Sequence, residues 1–153
     1  MNLIDVIASH HAYVKPSIKC VSNFKRALFG VNTAENGLKI IWTVLLKYLG
    51  DNQDLLSHHF VRIAKWMSLN PAKILGIDQK FGSIEKGKFA SFIVWRPYEK
   101  CYVSFTDFEY SKTNLYKGLW LNGNIDRVYV RGRCAFRDSS CFPVGDHLNF
   151  NSI

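Results

Sequence analysis

Two histidines stand side by side at positions 10 and 11, directly after an apolar stretch containing Leu3, Ile4, Val6, Ile7 and Ala8. Neutral imidazole can bind a transition metal and can accept a proton near neutrality, so the pair could do metal or acid–base chemistry. One or two ligands do not make a stable zinc site, and on residue type alone the pair reads as a polar strand end facing solvent or an anion. His58 and His59 are also adjacent, inside a helical pattern. Neighbours in a helix point in different directions, whereas a metal clamp uses i and i+4. His147 stands alone in the tail. The four cysteines, Cys20, Cys101, Cys134 and Cys141, form no CxxC pair, so reduced thiols in an intracellular compartment are expected. There is no Gly-rich phosphate loop and no nucleophile elbow.

The formal charge is +8 with a pI near 9.4, but Lys and Arg are spread along the whole sequence. The densest group is Arg127, Arg131, Arg133 and Arg137. Paired strands at 125–130 and 134–136, turning at Gly132, would set several of these guanidinium groups on one face with Tyr129. A solvated hairpin face is the expected use of that patch, and no nucleic-acid partner is expected.

These residues must be carried by packed elements. At 153 residues and 48% hydrophobic composition the chain can bury the core of one domain or somewhat more. No segment offers the about 18 uninterrupted apolar residues of a membrane span, so no membrane partner is expected. No charged-then-apolar leader stands at Met1, and no repeat or low-complexity tract is present. Residues 3–8 read as a strand of the kind buried in a parallel sheet. Asn23 suits a cap for a short helix over 24–28, broken by Gly30. Leu38, Ile41, Trp42 and Leu45 mark an amphipathic helix over 33–48, ending near Gly50. Asp51 or Asn52 suits the cap of a second helix over 54–68, with Leu56, Phe60, Ile63, Ala64 and Met67 toward a core. Asn70 as N-cap, Pro71 at the first helical position and Gly76 as a left-handed stop predict a short separate helix ending near Leu75. Gly82 and Gly87 bracket a tight reversal before strands at 89–95, 101–105, 125–130 and 134–136. The change of texture near 77–81 divides the chain into helical residues 1–78, a β domain over 79–138 and a tail over 139–153.

The run from Asn70 to Trp95 resembles the stretch by which cyclic-amide amidohydrolases (the allantoinase, dihydroorotase and dihydropyrimidinase group) leave their barrel and return to a small β domain. The likeness extends along the chain. Ser9, His10, His11, Pro16 and Lys19 are similar to the end of the family's last barrel strand, Ser-Asp-His followed by a Pro-containing loop. The segment 23–30, Glu35 and Ile40-Ile41-Trp42-Thr43 resemble allantoinase better than its relatives. Leu115-Tyr-Lys-Gly118, Leu121-Asn-Gly123 and Val128-Tyr-Val-Arg-Gly132 match the closing turns and hairpin.

The resemblance implies an α/β plus β fold: a C-terminal remnant of a TIM-type amidohydrolase barrel, its last strand and helices, followed by part of the small β-sandwich domain. A complete eight-stranded barrel needs about 250 residues, so the chain is expected to hold only the end of one. Family members hydrolyse a ring amide with hydroxide on one or two metal ions, commonly zinc, held by histidines, a carbamylated lysine and an aspartate that also takes the water's proton. His10 occupies that aspartate position and is therefore the candidate catalytic and metal-binding residue. Residues 8–12 are Ala, Ser, His, His and Ala, so a shift of register restores no acid. The other ligands are expected on strands preceding Met1. Two further departures are Ala90-Ser91 and Arg96, where the family carries acids.

The resemblance thus implies the C-terminal part of an allantoinase-like, zinc-dependent hydrolase of purine catabolism in the cytoplasm, with a small cyclic amide as its substrate. It also implies no catalysis by this chain alone and no tightly held zinc. Self-association through the exposed strand edge at residues 3–8 is a further expectation. A non-catalytic interaction or assembly module is the alternative, and dihydroorotate or a dihydropyrimidine the alternative substrate.

Overall fold

The computed structural model describes residues 3–12, 18, 23–31, 33–50, 53–104, 114–137 and 139–145. Helix α1 spans Gly37–Leu49, preceded by a 3-10 turn at Ala34–Asn36. Helix α2 spans Gln53–Ala64, passes through a π-helical turn at Lys65–Leu69, and continues as α3, Asn70–Ile74. Strands β1 (Phe92–Tyr102), β2 (Trp120–Val130), β3 (Arg133–Arg137) and β4 (Ser140–Cys141) follow, in sheet order β1-β2-β3-β4. No helix among the described residues is long and apolar enough to cross a membrane.

The chain divides into two compact units, each discontinuous in sequence. One comprises Ala8–Val44 and Pro97–Asn124, the other Met1–Ile7, Leu45–Arg96 and Ile125–Ile153. The cuts fall inside α1, β1 and β2, and so differ from the division at 78/79 and 138/139 drawn from sequence texture.

In the first unit the core is Trp42, which is fully buried, with Val103 and Leu121. The ring of Trp42 meets Tyr98 edge-on at 6.3 Å, and its Nε1–H donates to the Pro97 carbonyl at 2.7 Å. Thr43 Oγ1 accepts the Asn122 N–H at 2.8 Å, fastening β2 to α1. Helix α1 runs on past Val44 into the other unit and ends there as its periodicity predicts: Gly50 adopts φ 61 and its N–H donates to Leu46 O. Pro97 lies within β1, a single strand where two were expected at 89–95 and 101–105. Proline interrupts a central strand but is tolerated at an edge, and the order of the described strands places β1 there.

The second unit is built on the α2–α3 helix, whose buried residues are Leu56, His59, Ile63 and Ala72. Ala64, expected on that buried face, is exposed. The expected break before α3 does not exist. Asn70 is helical (φ −67, ψ −42), and its N–H reaches back to Lys65 O through the π turn. Pro71 has no N–H to give the carbonyl four residues earlier, and its ring crowds that carbonyl; widening the preceding turn accommodates both problems without ending the helix. Asn70, freed from capping, donates its Nδ2–H to Asp5 O at 2.7 Å. The helix does stop where predicted. Gly76 takes φ 68, its N–H donates to Lys73 O, and Ile77 N–H donates to Ala72 O, with Ala72 and Ile77 both buried. That pair of bonds and the apolar contact define a Schellman stop.

After Gly82 and Gly87 the loop closes through Phe89 N–H to Lys80 O at 2.9 Å. The β2–β3 hairpin turns at Arg131 (φ 50) and Gly132 (φ 82), with Val130 opposite Arg133 and a bulge between Val128 and Tyr129. Two consecutive left-handed residues are what a two-residue hairpin requires.

Residues 3–8 do not form the expected strand; the chain bends at Asp5. A strand is a ladder of paired backbone groups, whereas this segment is tied to the helical residues by Ile7 N–H donating to Trp66 O at 3.1 Å. Residues 24–27 form turns instead of a helix, with Asn23 Oδ1 accepting the Lys25 N–H and Asn23 O the Arg26 N–H. That side-chain bond offers the backbone a turn in place of a helical start. The loop at Pro16 and Lys19, Cys20, the proposed caps Asp51 and Asn52, and His147 lie outside the described residues.

Candidate functional site

The segment at residues 9–11 is held by the start of the first helix. His11 pairs with Val31 in an isolated parallel bridge, and Ala12 N–H donates to Val31 O at 3.1 Å. Gly30, at φ 129, is required beside that bridge, because a Cβ there would stand 2.7 Å from the Cβ of Ala12. The helix then begins without the usual side-chain cap: Thr33 makes no capping bond. His11 replaces it. Its Nδ1 accepts the Thr33 N–H at 3.2 Å and the Ala34 N–H at 3.3 Å, which satisfies two of the donors a helix start leaves unpaired. Two donors facing Nδ1 require that nitrogen to be unprotonated, so neutral His11 carries its proton on Nε2. The Thr33 hydroxyl, free of capping, donates to Ser9 O at 2.9 Å.

His10 is exposed and lies between these ties with φ 45. The resemblance sets His10 at the family's aspartate position, and among the described residues no cluster of metal-ligating side chains gathers around it. His11 spends Nδ1 on the helix start. Among the described residues no three His, Cys, Asp or Glu side chains are grouped to hold a metal ion. The donor set of the described residues therefore does not fit the zinc centre that the resemblance implies. His58 is exposed, while His59 is buried with its Nδ1 2.7 Å from Leu55 O, an i to i−4 bond that ties the ring to its own helix. Cys101, Cys134 and Cys141 are free thiols.

The arginine group is dispersed by its partners. Arg131 lies over Phe89 and Phe81, Arg127 Nε is 3.5 Å from Asp126, and Arg133 donates to Val144 O at 3.2 Å. Sequence reasoning missed Thr33 and the capping role of His11, since the partners are 22 to 24 residues apart and no local pattern announces them. It also missed Asn36, which is 2% exposed with its Nδ2 unpartnered.

Sequence and backbone, unlike the donor set, have clear relatives. Residues 39–135 match the family model described as the amidohydrolase family. The sequence is 29% identical to the allantoinase of Arabidopsis thaliana over 138 residues, covering 87% of this chain and 26% of that protein. It is 30% identical to the dihydroorotase of Thermoanaerobacter sp. (strain X514) over 135 residues, covering 88% of this chain and 29% of that one. The backbone follows the D-hydantoinase (dihydropyrimidinase) from Thermus sp. with a TM-score of 0.71 at 23% identity, over 94% of this chain and 30% of that one. The fold is thus that of part of a cyclic amidohydrolase. The chain belongs to the amidohydrolase family, with an allantoinase-like sequence, and spans between a quarter and a third of the length of these relatives.

Proposed function

We propose that this chain is the C-terminal part of an allantoinase-like, metal-dependent hydrolase: the end of its barrel followed by part of the small β-sandwich domain. The parent reaction opens the hydantoin ring of allantoin to allantoate, a step of purine catabolism in the cytoplasm, and the chain alone does not catalyse it. One observation carries the reading. The match runs along 87% of this chain yet reaches 26% of the allantoinase, and the resemblance puts His10 where the family carries its metal aspartate. A carboxylate offsets the charge of a metal and accepts the proton of its water, whereas a neutral imidazole brings no charge. Dihydroorotate or a dihydropyrimidine is the alternative substrate, since relatives of those classes match as well.

The test is to incubate the purified chain with zinc and allantoin and follow ring opening and bound metal. No turnover and less than one tightly held zinc are expected; metal-dependent allantoin hydrolysis by the chain alone overturns the reading.

A second reading, a non-catalytic interaction or assembly module, draws on the same His10 and on the exposure of Leu3 and Ile4, which suits self-association through this apolar segment. Coding sequence upstream of Met1 separates the two. Histidines and a lysine on barrel-strand patterns there favour the hydrolase, and their absence favours the module.

A further inference from the structure

Three non-glycine residues among those described have positive φ: Arg131, Ser139 and His10. Arg131 is half of a two-residue hairpin turn and Ser139 lies between β3 and β4, so both are at reversals that call for such a conformation. His10 joins no two strands. A left-handed L-residue costs energy, persists only where its surroundings over-determine it, and such residues gather at functional sites. Its surroundings do so here. On one side the Ser9 carbonyl is held by the Thr33 hydroxyl at 2.9 Å, and Ser9 Oγ accepts the His11 N–H at 3.3 Å, closing a turn around His10. On the other side the His11 ring is held by the Thr33 and Ala34 N–H groups.

We propose that Thr33 and His11 are positioning residues that hold His10 in the left-handed conformation and so fix where this exposed segment presents its imidazole. His11 acts through its acceptor nitrogen, and Thr33 through its N–H and its hydroxyl together. The clamp stands whether or not the chain takes part in catalysis, so its failure and that of the hydrolase reading are separate.

The experiment is nuclear magnetic resonance on the full chain labelled with 13C and 15N. In the unaltered protein His11 is expected as the Nε2–H tautomer, His10 with left-handed backbone shifts, and the Thr33 and Ala34 amides protected from exchange. His11→Ala is expected to lower that protection roughly tenfold, the scale of one lost hydrogen bond. It and Thr33→Val are expected to move the His10 backbone and ring resonances, while His11→Asn, whose side-chain oxygen can accept in place of Nδ1, restores them. His10→Gly is expected to raise the melting temperature in the unaltered background and to do nothing in the double variant Thr33→Val/His11→Ala. An Nδ1–H tautomer at His11, readable without any variant, overturns the proposal. So do His10 resonances unmoved by His11→Ala.

Discussion

The guanidinium of Arg131 lies over the ring of Phe89, 4.9 Å from its centroid, with the ring of Phe81 5.7 Å away on the same cation. The two phenyl rings are 5.1 Å apart, so the hairpin tip covers an aromatic pair on the loop that follows α3. The backbone repeats the attachment, with Arg131 N–H donating to Ser91 Oγ at 3.0 Å and Gly132 N–H to Ala90 O at 2.7 Å. A partly exposed cation over an aromatic face contributes about 0.5–1 kcal/mol. Arg131→Gln is therefore expected to destabilise by about that amount, and Arg131→Lys by less, in urea denaturation.

Gly82 and Gly87 share a left-handed backbone, at φ 89 and 93, but differ in surroundings. A Cβ at Gly82 would lie 2.6 Å from the Ala72 Cβ and 3.1 Å from Ser68 O, whereas one at Gly87 meets nothing within 4 Å. Gly87→Ala should cost about 1 kcal/mol, the strain of φ alone. Gly82→Ala adds overpacking against α3 and should cost about 2–4 kcal/mol. Equal midpoint shifts for the two variants would show that the contact with Ala72 is unimportant.

The sequence announced what is local and periodic. Trp42 and Leu56 fall on the predicted buried faces, Gly76 stops its helix, and Gly132 turns its hairpin, because each depends on neighbours within a few residues. Misreadings came where distant groups decide. Asn70 and Pro71 make a persuasive helix start, but a π turn absorbs the missing N–H and the preceding helix runs on. The strands expected at 89–95 and 101–105 are one, since a place at the sheet edge removes the penalty of Pro97 between them. Residues 3–8 have strand composition without the ladder partners a strand needs. At the candidate site the resemblance pointed to His10, whose left-handed backbone (φ 45) no local pattern announces. The clamp of Thr33 and His11 was not visible, since it closes across more than twenty residues.

Glu85 gives a pH-dependent signature for the same loop. The Ser83 hydroxyl, then the Lys88 ammonium by hydrogen bond and by charge, hold its carboxyl below the usual carboxylate range. A depressed folded-state pKa means the contribution is present above the unfolded value and is lost as pH falls through the folded one. The group is fully exposed, so the effect on stability is small and the titration itself is the measurement. Carbonyl shifts of Glu85 followed against pH should give a midpoint below that of an unstructured glutamate, and Ser83→Ala should raise it. An unmoved midpoint in that variant would remove the hydroxyl as the main cause.

Trp42 is the most buried of the described residues of its unit. It is fully buried, packs edge-on against Tyr98, and gives its only polar hydrogen to the Pro97 carbonyl at 2.7 Å. Pro97 brings no N–H of its own to β1, so the indole bond attaches α1 to β1 at the point where the strand has no donor. Trp42→Phe keeps an aromatic ring but deletes that donor and leaves space, for an expected loss of about 2–3 kcal/mol. Trp42→Ala should cost about 3–5 kcal/mol, a large fraction of the stability of a domain this size. Replacing Pro97 by Ala gives the strand its N–H back while leaving the carbonyl in place. Its effect should therefore be far smaller than either Trp42 change, and a loss as large as that of Trp42→Phe would show that the proline ring, not the carbonyl bond, organises this junction.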